Sequence, residues 1–342
     1  MDLILNYDES VYKSGKLDKP FDNLLYLAKP VYGGWVTFTA HLSHKYQLPI
    51  YKIAGRNETF KRNYGYECQY QNIDIGSVIK LKNILITAID KHYYKYLNLF
   101  PENTKVIIHD PTECKPNKKT PNPLVQTTED NEKTLLNHFK IITIRESVQE
   151  YLMNRFNVES QFMPHPFYSY ELPKCKGLGY EYVSISRIDF DKNTDIILRC
   201  NQSLKDPKKH IYLFGAENRL YVHHKLKELN FSSFWKGKFP KNLSPTYENC
   251  SILKDAKYMI DMSIIKGDGG GTQYTFLEAI HQDTVLILHN EWIDAGSTFK
   301  SGHNCIGVSN HEELSNFIEK GVSDKEYQNI LMNSKEILEK HV

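Results

Sequence analysis

A glycine-rich stretch near the end of the chain has the composition of a phosphate-binding loop. It follows the apolar run 258–265 and leads into a helix-like segment that contains Glu278. Consecutive glycines let a backbone approach a ligand closely, and N–H groups at the start of a helix attract anions. An ordinary strand-to-helix turn that tolerates glycine is the competing interpretation. The residues in question are Gly269, Gly270, Gly271 and Thr272.

Other phosphate or metal motifs are weak or missing. The sequence lacks a Gly-x-Gly-x-x-Gly fingerprint after a first strand and a Walker loop, which argues against a dehydrogenase and a P-loop enzyme. Asp189 and Asp191 form an Asp-x-Asp pair that could hold a divalent metal beside a sugar diphosphate. Such a pair occurs easily by chance, so we expect no metal.

Apolar runs of strand length alternate with helix-like segments along both halves of the chain. This alternation predicts an α/β fold with two doubly wound, Rossmann-like domains, whose ligands would lie in a cleft at the carboxyl ends of both sheets. The predicted strands include 23–28, 48–54, 66–71, 83–88, 105–110 and 139–144 in the first half, and 182–186, 210–214, 233–236, 258–265 and 284–288 in the second.

The domain boundary is expected at mid-chain, because residues 173–179 form a polar, glycine-containing stretch. The predicted organisation is a domain over 1–172, a linker over 173–179 and a second domain over 180–323. A helix over 324–342 ends the chain and could pack back on the N-terminal domain.

Composition sets broad limits on the class of protein. A chain of 342 residues with 40% hydrophobic and 25% charged residues is typical of a soluble globular protein with two domains. The six cysteines are scattered, which predicts reduced thiols. No apolar run could span a bilayer and no signal peptide is evident, so we expect a cytoplasmic protein. We also expect a monomer. A net charge of +2 leaves the partner open.

Four places in the sequence together resemble the B-type glycosyltransferases (GT-B), in particular the retaining family of glycogen and sucrose synthases. Gly33 and Gly34 match a glycine pair after the first strand of that family. Arg187 and Lys192 match its basic pair after a strand of the second domain. The stretch leading to Glu278 resembles its Glu-x7-Glu element, although Gly270 stands where the first glutamate is expected. The fourth place is His109 with Asp110, at the end of a predicted strand.

The resemblance implies a role for each of these residues. The N-terminal domain would bind the acceptor and the C-terminal domain the nucleotide sugar. Arg187 and Lys192 would bind the donor diphosphate with Gly269, Gly270, Gly271 and Thr272, and Glu278 would bind the ribose. Gly33 and Gly34 would let the donor and acceptor approach, and Asp268 could contact the sugar. The competing interpretation is that Arg187, Lys192 and Glu278 are solvated surface charges.

His109 and Asp110 would be the catalytic groups under the same resemblance, since a His or Asp in that loop can orient the acceptor hydroxyl or take its proton. An aspartate that caps the turn before Pro111 is the alternative. The Arg and Lys spacing is similar to the retaining family, whereas Asp110 also suits an inverting base, so both stereochemical outcomes are compatible with the sequence.

A second resemblance is to the phage glucosyltransferases that modify hydroxymethylated pyrimidines in DNA. It is carried by Asp110, by the stretch 237–240 (Gly-Lys-Phe-Pro), by Gly267-Asp268 and by Asp283 before a strand. It implies transfer of a hexose, expected to be glucose, from a nucleotide sugar, expected to be UDP-glucose, to a hydroxymethylated base in double-stranded DNA. No prosthetic group or metal is implied. The alternatives are a cytosolic transferase of cell-surface or capsular glycan synthesis and a non-catalytic binding module.

A DNA acceptor would need cationic contacts to phosphate and a base flipped out of the duplex. Aromatic side chains at Trp35, Tyr64 or Tyr66 could stack on such a base. Two basic loops of the first domain could contact the phosphates, although solvated loops are the competing interpretation. Their residues are Arg56, Lys61, Arg62, Lys115, Lys118 and Lys119.

Overall fold

The computed structural model describes residues 21–29, 33–53, 59–61, 67–102, 104–114, 124, 136–172, 174–237, 248–264 and 271–341. They form two compact units. Of the described residues, the first unit comprises those up to Tyr168 together with Lys340 and His341, and the second comprises those from Ser169 to Glu339. The change from one unit to the other thus falls just before the stretch 173–179. Among the described residues, no helix combines the length and hydrophobicity needed to cross a membrane.

The first unit is built on a sheet of eight strands in the order β3-β4-β2-β1-β5-β6-β7-β8. All neighbours are parallel except β3 and β4, which are antiparallel. Its central strands are continuous apolar runs that are buried on both faces, as parallel strands covered by helices must be. The strands are β1 (Asn23–Leu27), β2 (Ile50–Ile53), β3 (Thr59–Lys61), β4 (Glu67–Ile73), β5 (Ile84–Ile89), β6 (Lys105–Ile108), β7 (Lys140–Thr143) and β8 (Gln161–Phe162).

In the described part of the first unit, three helices and two short 3-10 turns connect these strands. Helix α1 follows β1 and buries most of its central residues, which is why it reads as an apolar segment in the sequence. The helices are α1 (Gly34–Tyr46), α2 (Ile75–Val78) and α3 (Glu146–Phe156), and the 3-10 turns are Tyr94–Leu99 and Pro111–Cys114.

The second unit contains a fully parallel sheet of five strands in the order β10-β9-β11-β12-β13. Its strands are β9 (Tyr182–Ile185), β10 (Ile211–Phe214), β11 (Tyr258–Asp261), β12 (Val285–His289) and β13 (Ile306–Val308). Its helices are α4 (Thr194–Ser203), α5 (Arg219–Lys225), α6 (Phe231–Phe234), α7 (Glu248–Leu253), α8 (Tyr274–His281), α9 (Asn290–Asp294), α10 (His311–Lys320) and α11 (Asp324–Glu339). The 3-10 turns Phe190–Lys192 and Pro207–Lys209 complete it.

One predicted strand is wrong. Residues 233–236 do not extend the sheet, because Phe231–Phe234 forms helix α6 and Trp235 closes that turn with its N–H donated to the Phe231 carbonyl at 2.9 Å. Trp235 makes only an isolated bridge to Leu213. The rings of Phe231 and Trp235 stack on each other with centroids 5.6 Å apart. Aromatic residues in this segment therefore stabilise a helical turn and not a strand.

Buried histidines attach the end of the chain to the first unit. His341 Nδ1 donates to the His165 carbonyl at 2.8 Å, and the His341 carbonyl accepts from the Phe167 N–H at 2.6 Å. His41 stacks on Phe167 and its Nδ1 accepts from the Tyr168 N–H at 2.8 Å. Burial lowers the pKa of His341 to about 4 and lowers the pKa of His165 well below its ordinary value, so both rings are neutral at pH 7.

We predict that this histidine cluster makes the protein sensitive to mild acid. Because these pKa values are lowered by folding, the unfolded chain binds protons below about pH 6.5 that the folded chain does not bind. The free energy of unfolding is therefore highest above about pH 6.5 and falls as the pH drops towards 4. Each such histidine contributes up to about 1.4 kcal/mol per pH unit. Urea unfolding at several pH values should show this slope. His341→Asn should reduce the slope by about one proton relative to the exposed control His224→Asn, and an unchanged slope would contradict the assignment.

Candidate functional site

Lys192 is the centre of the polar cluster in the second unit. It ends the 3-10 turn that follows β9, and the whole residue is only 7% exposed. Its Nζ donates to Ser263 Oγ at 2.8 Å and to Gln273 Oε1 at 3.3 Å. Among the described residues, no carboxylate lies within ion-pair distance of this ammonium. A buried cation without a carboxylate partner is costly, which is typical of a site that receives an anion.

Arg187 lies in a different environment. Its side chain is 61% exposed, and its two terminal nitrogens contact Asp189 Oδ2 at 2.9 Å and Asp191 Oδ2 at 3.0 Å. The Asp-x-Asp pair is therefore engaged with this guanidinium, and the second oxygen of Asp189 accepts from Asn218 Nδ2 at 2.8 Å. Of the two basic residues, Lys192 does not fit the solvated-turn interpretation, whereas Arg187 does lie on a charged surface turn.

The start of helix α8 contributes the next part of this cluster. Gly271 has a φ of 85°, which favours glycine, and its carbonyl accepts from Trp292 Nε1 at 3.0 Å. Thr272 is buried, and Gln273 precedes the first helical residue. Glu278 is the fifth residue of the helix and has an exposure of 0%, so the interpretation of a solvated glutamate is wrong.

The first unit contains a second cluster, at the carboxyl ends of β5 and β6. His109 is buried, its Nε2 lies 2.7 Å from the Thr87 carbonyl, and its ring packs edge-on against Phe38 at 5.0 Å between centroids. A carbonyl can only accept, so Nε2 carries the proton and Nδ1 is the bare nitrogen. Burial lowers the pKa of His109 to about 4, so the ring is neutral at pH 7.

Asp110 and Glu113 form a carboxylate pair beside His109. Asp110 Oδ1 accepts from the Thr112 N–H at 2.7 Å and from the Thr112 hydroxyl. Asp110 thus caps the turn that begins at Pro111, as the capping interpretation states. Glu113 Oε1 lies 3.3 Å from the His109 N–H. Burial, and secondly the nearby charge of Asp110, raise the pKa of Glu113 well above its ordinary value.

The predicted glycine pair lies at the start of helix α1 in the same unit. Gly33 has a φ of 98° and its carbonyl accepts the Thr37 N–H at 3.1 Å, so the conformation of the turn favours glycine here. A Cβ on Gly33 or Gly34 would meet no atom of the described residues within 4 Å. Trp35 follows, with its ring centroid 6.2 Å from that of His109.

Several predicted site residues lie outside the described part of the chain, so only their neighbours can be placed. Of Lys61, only the backbone is described, in β3. The residues outside the description are Arg56, Arg62, Tyr64, Tyr66, Lys115, Lys118, Lys119, Asp268, Gly269 and Gly270, together with 238–240.

Sequence reasoning missed four polar residues of the two clusters: Glu113, Asp261, Ser263 and Gln273. A signal existed for Glu113, because Asp110-x-x-Glu113 has the spacing of a capping box. Asp261 and Ser263 lie inside an apolar run that was interpreted as a buried strand. The contact of Ser263 with Lys192 spans 71 residues and leaves no local pattern.

Solved structures with a similar fold are glycosyltransferases. An alpha-glucosyltransferase in complex with UDP and a 13-mer DNA containing a HMU base matches with a TM-score of 0.66 at 12% identity, over 93% of this chain and 95% of that one. Anabaena HepE in complex with UDP and glucose matches with a TM-score of 0.60 at 12% identity, over 94% and 95%.

S. aureus TarM, solved with Fondaparinux, alpha-GlcNAc-glycerol and UDP, matches with a TM-score of 0.51 at 14% identity. The match covers 75% of this chain but only 51% of TarM, so the chain spans about half the length of that protein. No family model matches the sequence, and no curated protein matches it significantly. The similarity in structure confirms the predicted α/β class with two Rossmann-like domains of the GT-B type.

We predict that the buried, raised-pKa carboxyl of Glu113 makes the protein less stable as the pH rises. Its raised pKa means that the folded state holds a proton which the unfolded chain releases above about pH 4.5, so this contribution to stability is lost as the pH rises. Glu113→Gln, which keeps the shape without the proton, should therefore gain stability relative to the wild type as the pH rises from 5 to 9, by up to about 1.4 kcal/mol per pH unit.

Urea unfolding at each pH measures this difference. Glu150→Gln, on the exposed face of α3, is the matched control for changing a carboxyl to an amide. A difference between Glu113→Gln and the wild type that stays constant over the whole pH range would contradict the protonated state of Glu113.

Proposed function

We propose that the protein is a glycosyltransferase that moves a hexose from a nucleoside diphosphate sugar to a hydroxyl acceptor. The observation that carries the proposal is the buried ammonium of Lys192, which lies beside the start of helix α8 without a carboxylate partner among the described residues. A diphosphate is the ligand whose charge would balance this ammonium. Solved structures of similar fold contain UDP, which supports the same ligand class.

The donor would be bound mainly by the second unit. Lys192 and the N–H groups around Gly271 and Thr272 would contact the diphosphate, and charge growing on the leaving group would strengthen these contacts. Arg187 would add a bidentate contact by exchanging one of its two aspartates for phosphate. Glu278, the fifth residue of helix α8, would accept hydrogen bonds from the ribose hydroxyls. Uridine is the proposed base and glucose the proposed sugar.

Proton transfer would belong to the first unit. His109 is neutral and keeps a bare Nδ1, so it would orient the acceptor hydroxyl by accepting a hydrogen bond and would remain uncharged. Asp110 would take the proton. Its hydrogen bonds from Thr112 fix the carboxylate at the end of β6, and a fixed carboxylate loses little entropy when it meets the substrate.

A hydroxymethylated pyrimidine in double-stranded DNA is the acceptor we propose. Support comes from the alpha-glucosyltransferase with DNA, which matches nearly the full length of both chains. In this proposal the cationic residues around 56–62 and 115–119 contact phosphates, and the base is flipped out to reach Asp110. A soluble or lipid-linked glycan acceptor is the outcome that would redirect the proposal.

We predict that Asp110→Asn separates chemistry from donor binding. The amide keeps the bonds from Thr112 but cannot take a proton, so turnover should fall by about 10²-fold or more, the usual contribution of a general base. The dissociation constant for UDP, measured by calorimetry, should change less than about twofold because Asp110 does not contact the donor phosphates. Lys192→Met is the converse variant and should weaken UDP binding. Normal turnover in Asp110→Asn would remove Asp110 from the mechanism.

We predict that the acceptor can be identified by its dependence on salt. Labelled UDP-glucose is offered with hydroxymethylated DNA, with unmodified DNA and with a cell-envelope extract. Transfer to hydroxymethylated DNA should lose about 10³-fold in kcat/KM between 50 and 200 mM salt if about six cations contact phosphate. Unmodified DNA is the matched control, since it lacks the hydroxyl. Transfer to the envelope extract alone, with little salt dependence, would replace the DNA acceptor by a glycan.

A further inference from the structure

Asp261 is a buried carboxylate that contacts no cation directly among the described residues. It ends β11 and is 3% exposed. Its Oδ1 accepts the Ser263 N–H at 2.8 Å and also the Ser263 hydroxyl. Its Oδ2 has no hydrogen-bond partner within the part of the chain that the structure describes. A buried carboxylate of this kind must be compensated by a nearby positive charge.

Lys192 supplies that charge through one intervening hydroxyl. An ammonium only donates, so Ser263 Oγ accepts from Lys192 Nζ at 2.8 Å. The single hydroxyl proton of Ser263 is then available for Asp261. The chain of donors therefore has one direction, from Lys192 through Ser263 to Asp261, and each bond in such a chain polarises the next.

The third donor of the ammonium is the feature that a ligand could use. Lys192 has three N–H groups, and the two contacts with Ser263 and Gln273 use two of them. A direct ion pair with Asp261 would neutralise the ammonium locally. With the hydroxyl between them, the lysine is held in position and its ammonium remains able to bind an anion.

The backbone around this chain is tied down on both sides. Asn193, next to Lys192, donates from Nδ2 to the Met262 carbonyl at 2.9 Å. The Ile264 N–H donates to the Asp191 carbonyl at 3.0 Å. The turn after β9 and the segment after β11 are thus joined on either side of the contact between Lys192 and Ser263, which fixes the position of the ammonium.

We propose that Asp261 is a positioning residue of the donor site, which acts through Ser263 to hold the Lys192 ammonium in place for the diphosphate. This inference rests on the proposed function for the identity of the ligand. It adds Asp261 and Ser263 to the residues on which donor binding depends, although neither is proposed to contact the donor.

The test is a double-mutant cycle read by calorimetric binding of UDP, with inorganic pyrophosphate as a second probe. Asp261→Asn should weaken UDP binding about tenfold, the loss expected for one hydrogen bond to a charged group. In a Lys192→Met background, the same substitution should have almost no further effect, because the group through which it acts is gone. A merely structural role of Asp261 would weaken binding equally in both backgrounds.

Ser263 provides an independent variant in case Asp261→Asn does not fold. Ser263→Ala breaks the chain at its middle and should match Asp261→Asn, whereas Ser263→Thr should recover most of the loss because it retains a hydroxyl. Ser203→Ala, at the exposed end of α4, is the matched serine control. Unchanged UDP affinity in Asp261→Asn or Ser263→Ala, or an equal loss in the Lys192→Met background, would overturn the inference and leave the proposed function intact. A wild-type protein that binds neither UDP nor pyrophosphate would overturn both.

Discussion

The parallel pairing of β9 with β11 is the constraint on which the donor-side cluster depends. Tyr182 pairs with Tyr258 and Val183 with Met259, so both strands leave the sheet at the same edge. Residues that follow each strand must then meet, although Lys192 and Ser263 are 71 residues apart. Burial of the apolar strands stabilises this sheet, and the polar cluster is placed by a register that hydrophobic packing maintains. The order of the strands thus determines which polar residues meet in this cluster.

The two units place opposite electrostatic demands on their buried polar groups. In the second unit, hydroxyl and amide oxygens accept hydrogen bonds from the buried Lys192 Nζ in place of water. In the first unit, His109 is kept neutral by burial, with its proton fixed on Nε2 by the Thr87 carbonyl. A fixed cation suits the binding of an anion, and a neutral imidazole suits the orientation of a hydroxyl. Both Lys192 and His109 lie in surroundings of low dielectric constant, where hydrogen bonds are stronger than in water, but their hydrogen-bond partners differ.

Several residues combine a local structural task with their proposed role. Asp110 caps the turn at Pro111 and is also the proposed base, so capping and catalysis are compatible rather than competing interpretations. Arg187 is paired with Asp189 and Asp191, which hold the guanidinium where it is presented to solvent. The backbone conformation at Gly33 favours glycine, and no described atom occupies the space that a side chain there would fill. Local stability of the turns therefore supports the site, since each proposed contact begins from an ordered side chain.

The sequence by itself determined the α/β class and most of the strands, because hydrophobic periodicity and turn residues are local signals. It also determined that Arg187, Lys192 and Asp110 follow strands and that Glu278 lies in a helix. The prediction of a strand over residues 233–236 was wrong, because aromatic residues suit a helical turn equally well. Only the tertiary structure decided which charges are buried: Lys192 and Glu278 are, and Arg187 is not. It also revealed Ser263 and Gln273 as neighbours of Lys192, Asp261 as a neighbour of Ser263, and Glu113 as a neighbour of His109. Their importance arises from contacts across strands and from shared burial, and neither quantity is encoded by spacing along the chain.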